Sequence, residues 1–333
     1  MRRLPTIEHK MKGNPPMALF LQGGSGPSAR KHSCPAESGA VSAMLSRLLK
    51  VALLLLALAS LAGCSGARIA YNNAGIALRW MADGYFALEG PQEEDFKARM
   101  ARFHAWHRSE ELPRYSTLMT SAGDGLADGL TAAELLWAWD NVKARYRHMA
   151  AQAAPELAAV LATLTPAQFE RLERKFAETS AEFTRKYLKG GEAEQRERRN
   201  KRNLERMREW FGDLSDEQEA QLRISSGKLP LLYELRLQNR QRRQGEFVAL
   251  LKAYRSAAEL EPRLKRWLTE WDEGASTEYR RLSELHRELY IQMLLELDRG
   301  LTPAQRFHAV TRLYEYAEIF KTLAEQSRPA QPG

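Results

Sequence analysis

The sequence predicts an all-α fold, a bundle of about eight to ten amphipathic helices. Apolar residues recur at steps of three and four along most of the chain after residue 64, and helix-start patterns recur between these stretches. No stretch alternates apolar and polar residues for long enough to predict a sheet. The chain is 44% hydrophobic and 28% charged, so it has enough apolar material for a core.

Four apolar stripes predict the main helices in chain order. Thr131 and Glu134 have the spacing of a capping box, in which the hydroxyl and the carboxylate each satisfy a free backbone N–H. The stripe that follows should form one face of a helix, and the others begin after Thr165, Ser276 and Thr302. The four stripes are Leu135, Trp139, Val142, Tyr146 and Met149; Phe169, Leu172, Phe176, Phe183 and Tyr187; Leu282, Leu285, Leu289, Met293 and Leu297; and Phe307, Val310, Leu313, Ala317, Phe320 and Leu323.

Glycine and proline residues predict where these helices begin and end. Gly190-Gly191 and Gly212-Asp213 predict breaks, and Pro230 predicts a helix start or a kink. Four further prolines fit the first turn of a helix, where a missing N–H costs no hydrogen bond: Pro155, Pro166, Pro262 and Pro303.

The net charge of +8 is concentrated at the N-terminus. Residues 1–63 contain eight Lys or Arg and two Asp or Glu, which leaves 42 of the 50 basic and 40 of the 42 acidic residues in the remainder. The chain from residue 64 onward therefore carries only +2. A nucleic-acid-binding protein would need a concentrated basic excess on its folded part, so we expect no nucleic-acid partner.

The chain has two cysteines, Cys34 and Cys64, and none after them. The helical region therefore has no disulfide framework and no cysteine-ligated metal site.

Residues 44–64 have the pattern of a bacterial export signal. Arg47 and Lys50 are followed by twelve small and apolar residues, too few for a membrane span of about 20 residues. The run ends in Leu61-Ala62-Gly63-Cys64, which resembles the lipobox of bacterial lipoproteins. That resemblance implies cleavage between Gly63 and Cys64, a diacylglyceryl group on the Cys64 sulfur, and an N-acyl chain on the new terminus. The alternatives are an ordinary apolar helix and an anchor that is not cleaved.

Ser65 follows the predicted attachment site. Lipoproteins retained in the inner membrane of many Gram-negative bacteria carry Asp at this position. The resemblance therefore implies sorting to the outer membrane, with the protein on its periplasmic face. Two or three acyl chains hold a protein on a bilayer stably, whereas one holds it only marginally.

The predicted organisation has five parts. Residues 1–43 have no helical period, and we expect them to precede the true start at Met44; the alternative is a disordered extension. Residues 44–63 are the signal peptide, 64–70 the lipidated terminus and a short linker, 71–326 the helical periplasmic body, and 327–333 a flexible tail.

One five-residue pattern opens three of the predicted helices. Its Thr or Ser fits the N-cap and its Gln fits the third helical position, which together form a capping box. The pattern resembles the LTxxQ motif of the Spy/CpxP family, helical periplasmic proteins with chaperone and envelope-stress roles; the alternative is a set of helix starts without kinship. The copies are Leu164, Thr165 and Gln168; Leu214, Ser215 and Gln218; Leu301, Thr302 and Gln305; and a degraded copy from Leu88 to Gln92.

A second resemblance covers most of the chain after Cys64. The motifs that carry it are Tyr71-Asn72-Asn73, Trp106-His107-Arg108 and Glu111-Leu112-Pro113-x-Tyr115. They resemble an uncharacterised family of proteobacterial lipoproteins, which implies export and a helical fold but no activity. The alternative is a purely structural role, in which the aromatic residues of this region pack in the core: Trp80, Tyr85, Trp106 and Tyr115.

The remaining candidates for chemistry favour structural roles. His104 and His107 share a helix face, but no third ligand stands at a suitable spacing for zinc. The basic runs over 185–208 and 236–243 fit a solvated helix face with pairs such as Glu194–Arg198 and Glu197–Lys201; the alternative is contact with anionic headgroups. No catalytic motif is present, so we expect no enzyme, no catalytic residue, no metal and no cofactor besides the lipid on Cys64.

These observations predict an outer-membrane lipoprotein with a non-catalytic binding role, chaperone-like or related to envelope stress, and with protein partners in the envelope. The alternative is a scaffold or tether for envelope partners. A weaker alternative is a cell-wall-active enzyme, which would need a buried carboxylate in a deep cleft.

Overall fold

The computed structural model describes residues 66–326, which form helices and the short connections between them. This range contains eleven α-helices and no strand, which confirms the all-α prediction with one helix more than expected. The helices are α1 (Ala74–Phe86), α2 (Pro91–Trp106), α3 (Leu112–Asp128), α4 (Ala132–Leu161), α5 (Pro166–Phe183), α6 (Glu192–Phe211), α7 (Asp216–Lys228), α8 (Tyr233–Ala253), α9 (Ala257–Thr269), α10 (Thr277–Arg299) and α11 (Pro303–Glu325).

Two π-helical turns extend this pattern. His107–Glu111 joins α2 to α3 without a break, and Thr184–Leu188 continues α5. The π-helix is rare, and single π turns are frequent at functional sites. Residues 66–72 are helical as well, so residues 66–70 of the predicted linker continue the helical body toward the N-terminus.

The connections lie where glycine and the cap residues predict them. Gly190 and Gly212 have φ angles of +80° and +78°, a conformation that a side chain would strain, and α5 and α6 end before them. Thr131 caps α4 with a complete capping box, in which its backbone N–H donates to Glu134 at 2.8 Å. Pro230 lies in the connection between α7 and α8.

Two of the four prolines are not at helix starts. Pro166 and Pro303 hold the first position of α5 and α11, as expected, but Pro155 and Pro262 lie inside α4 and α9. The residues around these two prolines are fully buried, namely Ala154, Ala158, Leu260 and Leu264. Packing on both sides of each proline outweighs the one hydrogen bond that its missing N–H loses.

Three clusters of buried apolar residues hold the helices together. The first core joins α1, α2, α5, α9 and the C-terminal parts of α4 and α8. The second joins α3, α6, α7, α10 and α11, and the third is a small cluster between α3 and α11. Their most buried members are Ala158, Leu164, Leu172, Leu251, Leu260 and Leu264; Met207, Leu222, Leu229, Met293 and Ala309; and Leu112 and Leu323.

Candidate functional site

The three full copies of the repeated pattern all begin helices. Thr165, Ser215 and Thr302 are the N-caps of α5, α7 and α11, and each hydroxyl accepts a hydrogen bond from the backbone N–H of its glutamine. In each copy the glutamine Oε1 accepts the N-cap N–H at 2.9 Å, which completes the capping box. The leucines of these copies range from fully buried at Leu164 to half-buried at Leu214.

The glutamines also pair with one another across the fold. Gln168 donates to Oε1 of Gln92 at 2.8 Å and accepts from its Nε2 at 3.2 Å. Gln218 and Gln305 exchange the same two bonds at 2.8 and 2.9 Å. We call these two arrangements the Gln92–Gln168 interlock and the Gln218–Gln305 interlock.

In all four copies the glutamine side chain also donates a hydrogen bond to the backbone of the partner copy. Its Nε2 donates to the carbonyl oxygen of the residue just before the leucine of the partner copy. The four acceptors are Thr163 at 2.8 Å, Ala87 at 3.0 Å, Gly300 at 2.7 Å and Asp213 at 2.6 Å. The copy at Gln92 has no side-chain cap but keeps these bonds, so the pairing of helix starts is what the four copies share.

A buried apolar residue also follows each repeated leucine after eight residues. These four residues lie within two turns of the glutamine and face the cores: Phe96, Leu172, Leu222 and Ala309. The repeat therefore extends along one helix face beyond the five residues that the sequence pattern marks.

A cavity of about 860 Å³ lies beside the Gln218–Gln305 interlock. Its apolar lining comes from α6, α7 and α10, with Phe211, Leu222 and Met293. The polar lining includes Glu217 and Glu296. Ser225 and Gln221 donate hydrogen bonds to Glu296, which lowers the pKa of that carboxyl.

A polar cluster surrounds the π-helical turn at His107–Glu111. The Glu111 side chain has no exposure to solvent, and its Oε1 lies 2.7 Å from Nδ1 of His148. The guanidinium groups of Arg114 and Arg145 both lie 3.3 Å from the same oxygen, while Oε2 of Glu111 has no partner. We call these residues the Glu111 cluster.

The aromatic groups beside this cluster are held uncharged. The Tyr71 hydroxyl lies 2.9 Å from Nδ1 of His107, and burial lowers the pKa of His107 to about 4. Burial, with a smaller contribution from the negative charge of Glu111, raises the pKa of Tyr115 to about 12. Burial likewise raises the pKa of Tyr71 and lowers that of His104.

The motifs that carry the second resemblance meet at this place. Arg108 donates to Oδ1 of Asn72 at 2.6 Å, and its guanidinium lies 5.2 Å from the centre of the Tyr71 ring. The His107 and Tyr115 rings meet edge to face at 5.5 Å. Residues far apart in sequence thus form one cluster, whereas Trp80, expected in the core, is 58% exposed.

The N-terminal half of α4 is only partly covered by the rest of the described chain. No residue of α4 is buried before Ala150, which contradicts the expectation that Trp139 and Val142 lie on a core face. Four large apolar side chains within seven residues are exposed, and we call them the apolar patch: Leu136 (40%), Trp137 (42%), Trp139 (48%) and Val142 (49%). Trp139 and Val142 share a helix face with Tyr146, whose hydroxyl donates to the Leu268 carbonyl of α9, so this face is covered near Tyr146 and exposed near Trp139.

The basic runs mainly make ion pairs and contacts to backbone. Arg198 pairs with Glu194 at 3.3 Å, as expected, but Glu197 lies 3.5 Å from Arg223 on α7 rather than pairing with Lys201. Arg199 is buried and donates to the carbonyl of Leu229 at 2.6 Å. These contacts fix α6 against α7 and the connection that follows it.

The predicted lipid attachment and sorting residues Gly63, Cys64 and Ser65 lie outside the described residues, as do the predicted signal peptide, residues 1–43 and the tail 327–333. Within residues 66–326, no helix is both long enough and apolar enough to cross a membrane. In the same range, no three His, Cys, Asp or Glu side chains are grouped as metal ligands.

Comparison with known protein families matches residues 84–280 to a family of unknown function, DUF6279. The match covers more than half of the chain and agrees with the expectation of an uncharacterised family. It includes the Glu111 cluster, the apolar patch and the Gln92–Gln168 interlock. No curated protein and no solved structure matches the chain.

Proposed function

Because the chain belongs to DUF6279, a family of unknown function, we propose its role from its own residues. It is a lipid-anchored protein of the outer membrane whose helical body faces the periplasm and binds polypeptide without catalysis. The apolar patch on α4 is the binding surface, and the polypeptides are unfolded segments that expose apolar side chains. The resemblance of the repeated helix starts to the LTxxQ motif is consistent with this chaperone-like role.

The anchor is supported by the sequence before the described residues. A positive start, twelve apolar residues and the Leu61-Ala62-Gly63-Cys64 ending occur in the order that lipoprotein processing requires. Incorporation of labelled palmitate tests this part. We expect label in the wild-type protein and none in Cys64→Ser, which should also leave the membrane fraction.

The polypeptide-binding role rests on one observation, the exposure of the apolar patch. Two indole rings and two aliphatic side chains lie within seven residues, and each is exposed by 40% to 49%. Burying the exposed part of each side chain would contribute roughly 1 kcal/mol. On a helix of about 3.6 residues per turn, Leu136, Trp139 and Val142 fall within roughly 120° of one another. Exposed apolar side chains that share a face mark interaction sites more often than isolated ones do.

The direct test is an aggregation assay with the mature chain carrying Cys64→Ser. We expect it to slow the aggregation of an unfolded client, and Trp137→Ser/Trp139→Ser to lose most of that effect. Trp80→Ser is the matched control, because Trp80 is 58% exposed and lies outside the apolar patch. No delay at stoichiometric excess, or an equal loss in the control, would contradict the proposal.

Crosslinking in cells separates this role from that of a scaffold. A photo-crosslinker at position 137 should capture many different polypeptides if the surface binds unfolded clients. Capture of one folded envelope protein would favour the scaffold instead.

The enzyme alternative has weak support. Glu111 is a buried carboxylate, but it does not line the cavity beside the Gln218–Gln305 interlock. Its contacts are two arginines and a histidine rather than the lining of a substrate cleft.

A further inference from the structure

A second exposed apolar surface lies at the beginning of the described chain. Ile69, Ile76 and Trp80 are exposed by 61%, 50% and 58%. These values are among the largest for apolar side chains in the described range. We call these three residues the N-terminal stripe.

The stripe lies on one side of a nearly continuous helix. The turn at Asn73 keeps helical hydrogen bonds on both sides, since its N–H donates to Ile69 at 3.0 Å and its carbonyl accepts from Ala77 at 3.3 Å. On a helix of about 3.6 residues per turn, residues 69, 76 and 80 fall within roughly 40° of one another. The three side chains therefore share a face.

The opposite side of the same segment already contributes to the interior. Ala82 is buried in the first core, and Leu78 and Phe86 pack against that core. The stripe is therefore a second apolar face, which the packing of the described chain does not use. An amphipathic surface helix normally places polar residues there.

We infer that the N-terminal stripe lies on the bilayer surface to which the protein is anchored. This inference rests on the lipid proposed for Cys64, which precedes Ile69 by five residues. Five residues span at most about 17 Å even when fully extended, so acyl chains on Cys64 would keep Ile69, where the stripe begins, within about that distance of the bilayer surface. Indole rings favour the headgroup region, where their apolar body and polar N–H both find suitable surroundings.

The charges beside the stripe are mixed, since the exposed Asp83 lies on the same helix face two turns after Ile76, and Arg79 supplies a cation for lipid phosphates. Arg79 precedes Trp80, and its side chain is 45% exposed, with Glu93 at 3.6 Å as its acidic neighbour. Such a loose, solvent-exposed pair is weak, so the guanidinium remains available to lipid phosphates. A membrane contact would hold the helical body in one orientation, whereas a lipid on a free linker would not.

Site-specific labelling tests the contact directly, since no cysteine follows Cys64. The lipidated protein with Ile76→Cys is labelled with an environment-sensitive dye and reconstituted into phospholipid vesicles. Vesicles with brominated acyl chains then report whether the dye is close to the bilayer. We expect a blue-shifted emission and quenching about threefold stronger than that of the control.

The matched control is Ile224→Cys on α7, because Ile224 is 59% exposed. Equal quenching at both positions would overturn the inference. A blue shift at position 76 that grows with protein concentration, without quenching by brominated lipid, would also overturn the inference. A second copy of the protein would then cover the stripe. Palmitate labelling of the same samples shows whether Cys64 is lipidated at all. A palmitoylated protein without quenching at position 76 would refute the bilayer contact of the stripe and leave the lipid anchor standing.

Discussion

The Oε1 atom of Glu111 and the Nδ1 atom of His148 lie 2.7 Å apart, and the carboxylate is completely shielded from solvent. The partner side chains are less shielded, with His148 37% and Arg145 27% exposed. A buried charge is tolerated only when charged or hydrogen-bonding partners compensate the loss of hydration. The Glu111 cluster therefore holds α2, α3 and α4 in one fixed relation around the π-helical turn.

Glu111→Gln should lower the free energy of unfolding by about 2 kcal/mol, because the amide leaves the two arginines without their shared counter-charge and replaces an acceptor beside His148. Urea denaturation of the mature chain with Cys64→Ser measures this change. Glu110→Gln is the control: Glu110 is 51% exposed and lies 3.6 Å from Arg114, so its removal should change stability by less than about 0.5 kcal/mol. Equal effects would show that burial of Glu111 carries no energetic weight.

Stability should fall as the pH is lowered from 7 to 5. The pKa of His107 is about 4 in the folded protein, below the ordinary value of 6.5, so the unfolded chain takes up a proton first. This difference should cost about 2 kcal/mol between pH 7 and pH 5. His107→Gln should have a flatter profile, measured by urea denaturation at each pH. A profile as steep as that of the wild type would exclude His107 as the cause.

The two glutamines of an interlock should be energetically coupled. In a double-mutant cycle, Gln92→Ala and Gln168→Ala should show a coupling of about 1 kcal/mol, because either change removes both exchanged hydrogen bonds. Gln92→Ala combined with Gln218→Ala should be additive within about 0.5 kcal/mol, because these residues belong to different interlocks. Additivity within one interlock would mean that the observed bonds contribute nothing net.

Ala87→Gly should stabilise the protein by about 1 kcal/mol. Ala87 ends α1 with a φ of +47°, in the left-handed region where an L side chain is strained and glycine is not. Thermal denaturation measures the gain. Ala98→Gly in the exposed interior of α2 should have the opposite sign, and a loss of stability in both variants would refute the strain at Ala87.

Local signals predicted much of this fold. The capping boxes at Thr131, Thr165 and Thr302 depend on residues three positions apart, so the sequence contains all the information that they need. The exposure of Trp139 could not be predicted in the same way. Periodicity states which side chains share a helix face, but only the packed structure shows whether another helix covers that face.

The interlocks and the Glu111 cluster depend on contacts between residues far apart in the sequence, so local sequence patterns could not predict them. The sequence identified Gln168 as a capping residue, but its partner Gln92 is 76 residues away. Similarly, a π-helical turn shifts the helix face on which Glu111 lies, and the periodicity of apolar residues does not predict such a turn. The Tyr71-Asn72-Asn73 and Trp106-His107-Arg108 motifs are the local signal for this site, since residues of both motifs meet around His107.

The two interlocks have a consequence for the order of folding. Most contacts in a helical protein are local and form quickly, but the interlocks join glutamines 76 and 87 residues apart. Neither can close until the helices between its two ends have come together, so their closure belongs to a late step of folding. The entropy of closing the longer loop exceeds that of the shorter by only about 0.1 kcal/mol. Loop length therefore does not determine which interlock closes first. The packing of the first and second cores determines that order.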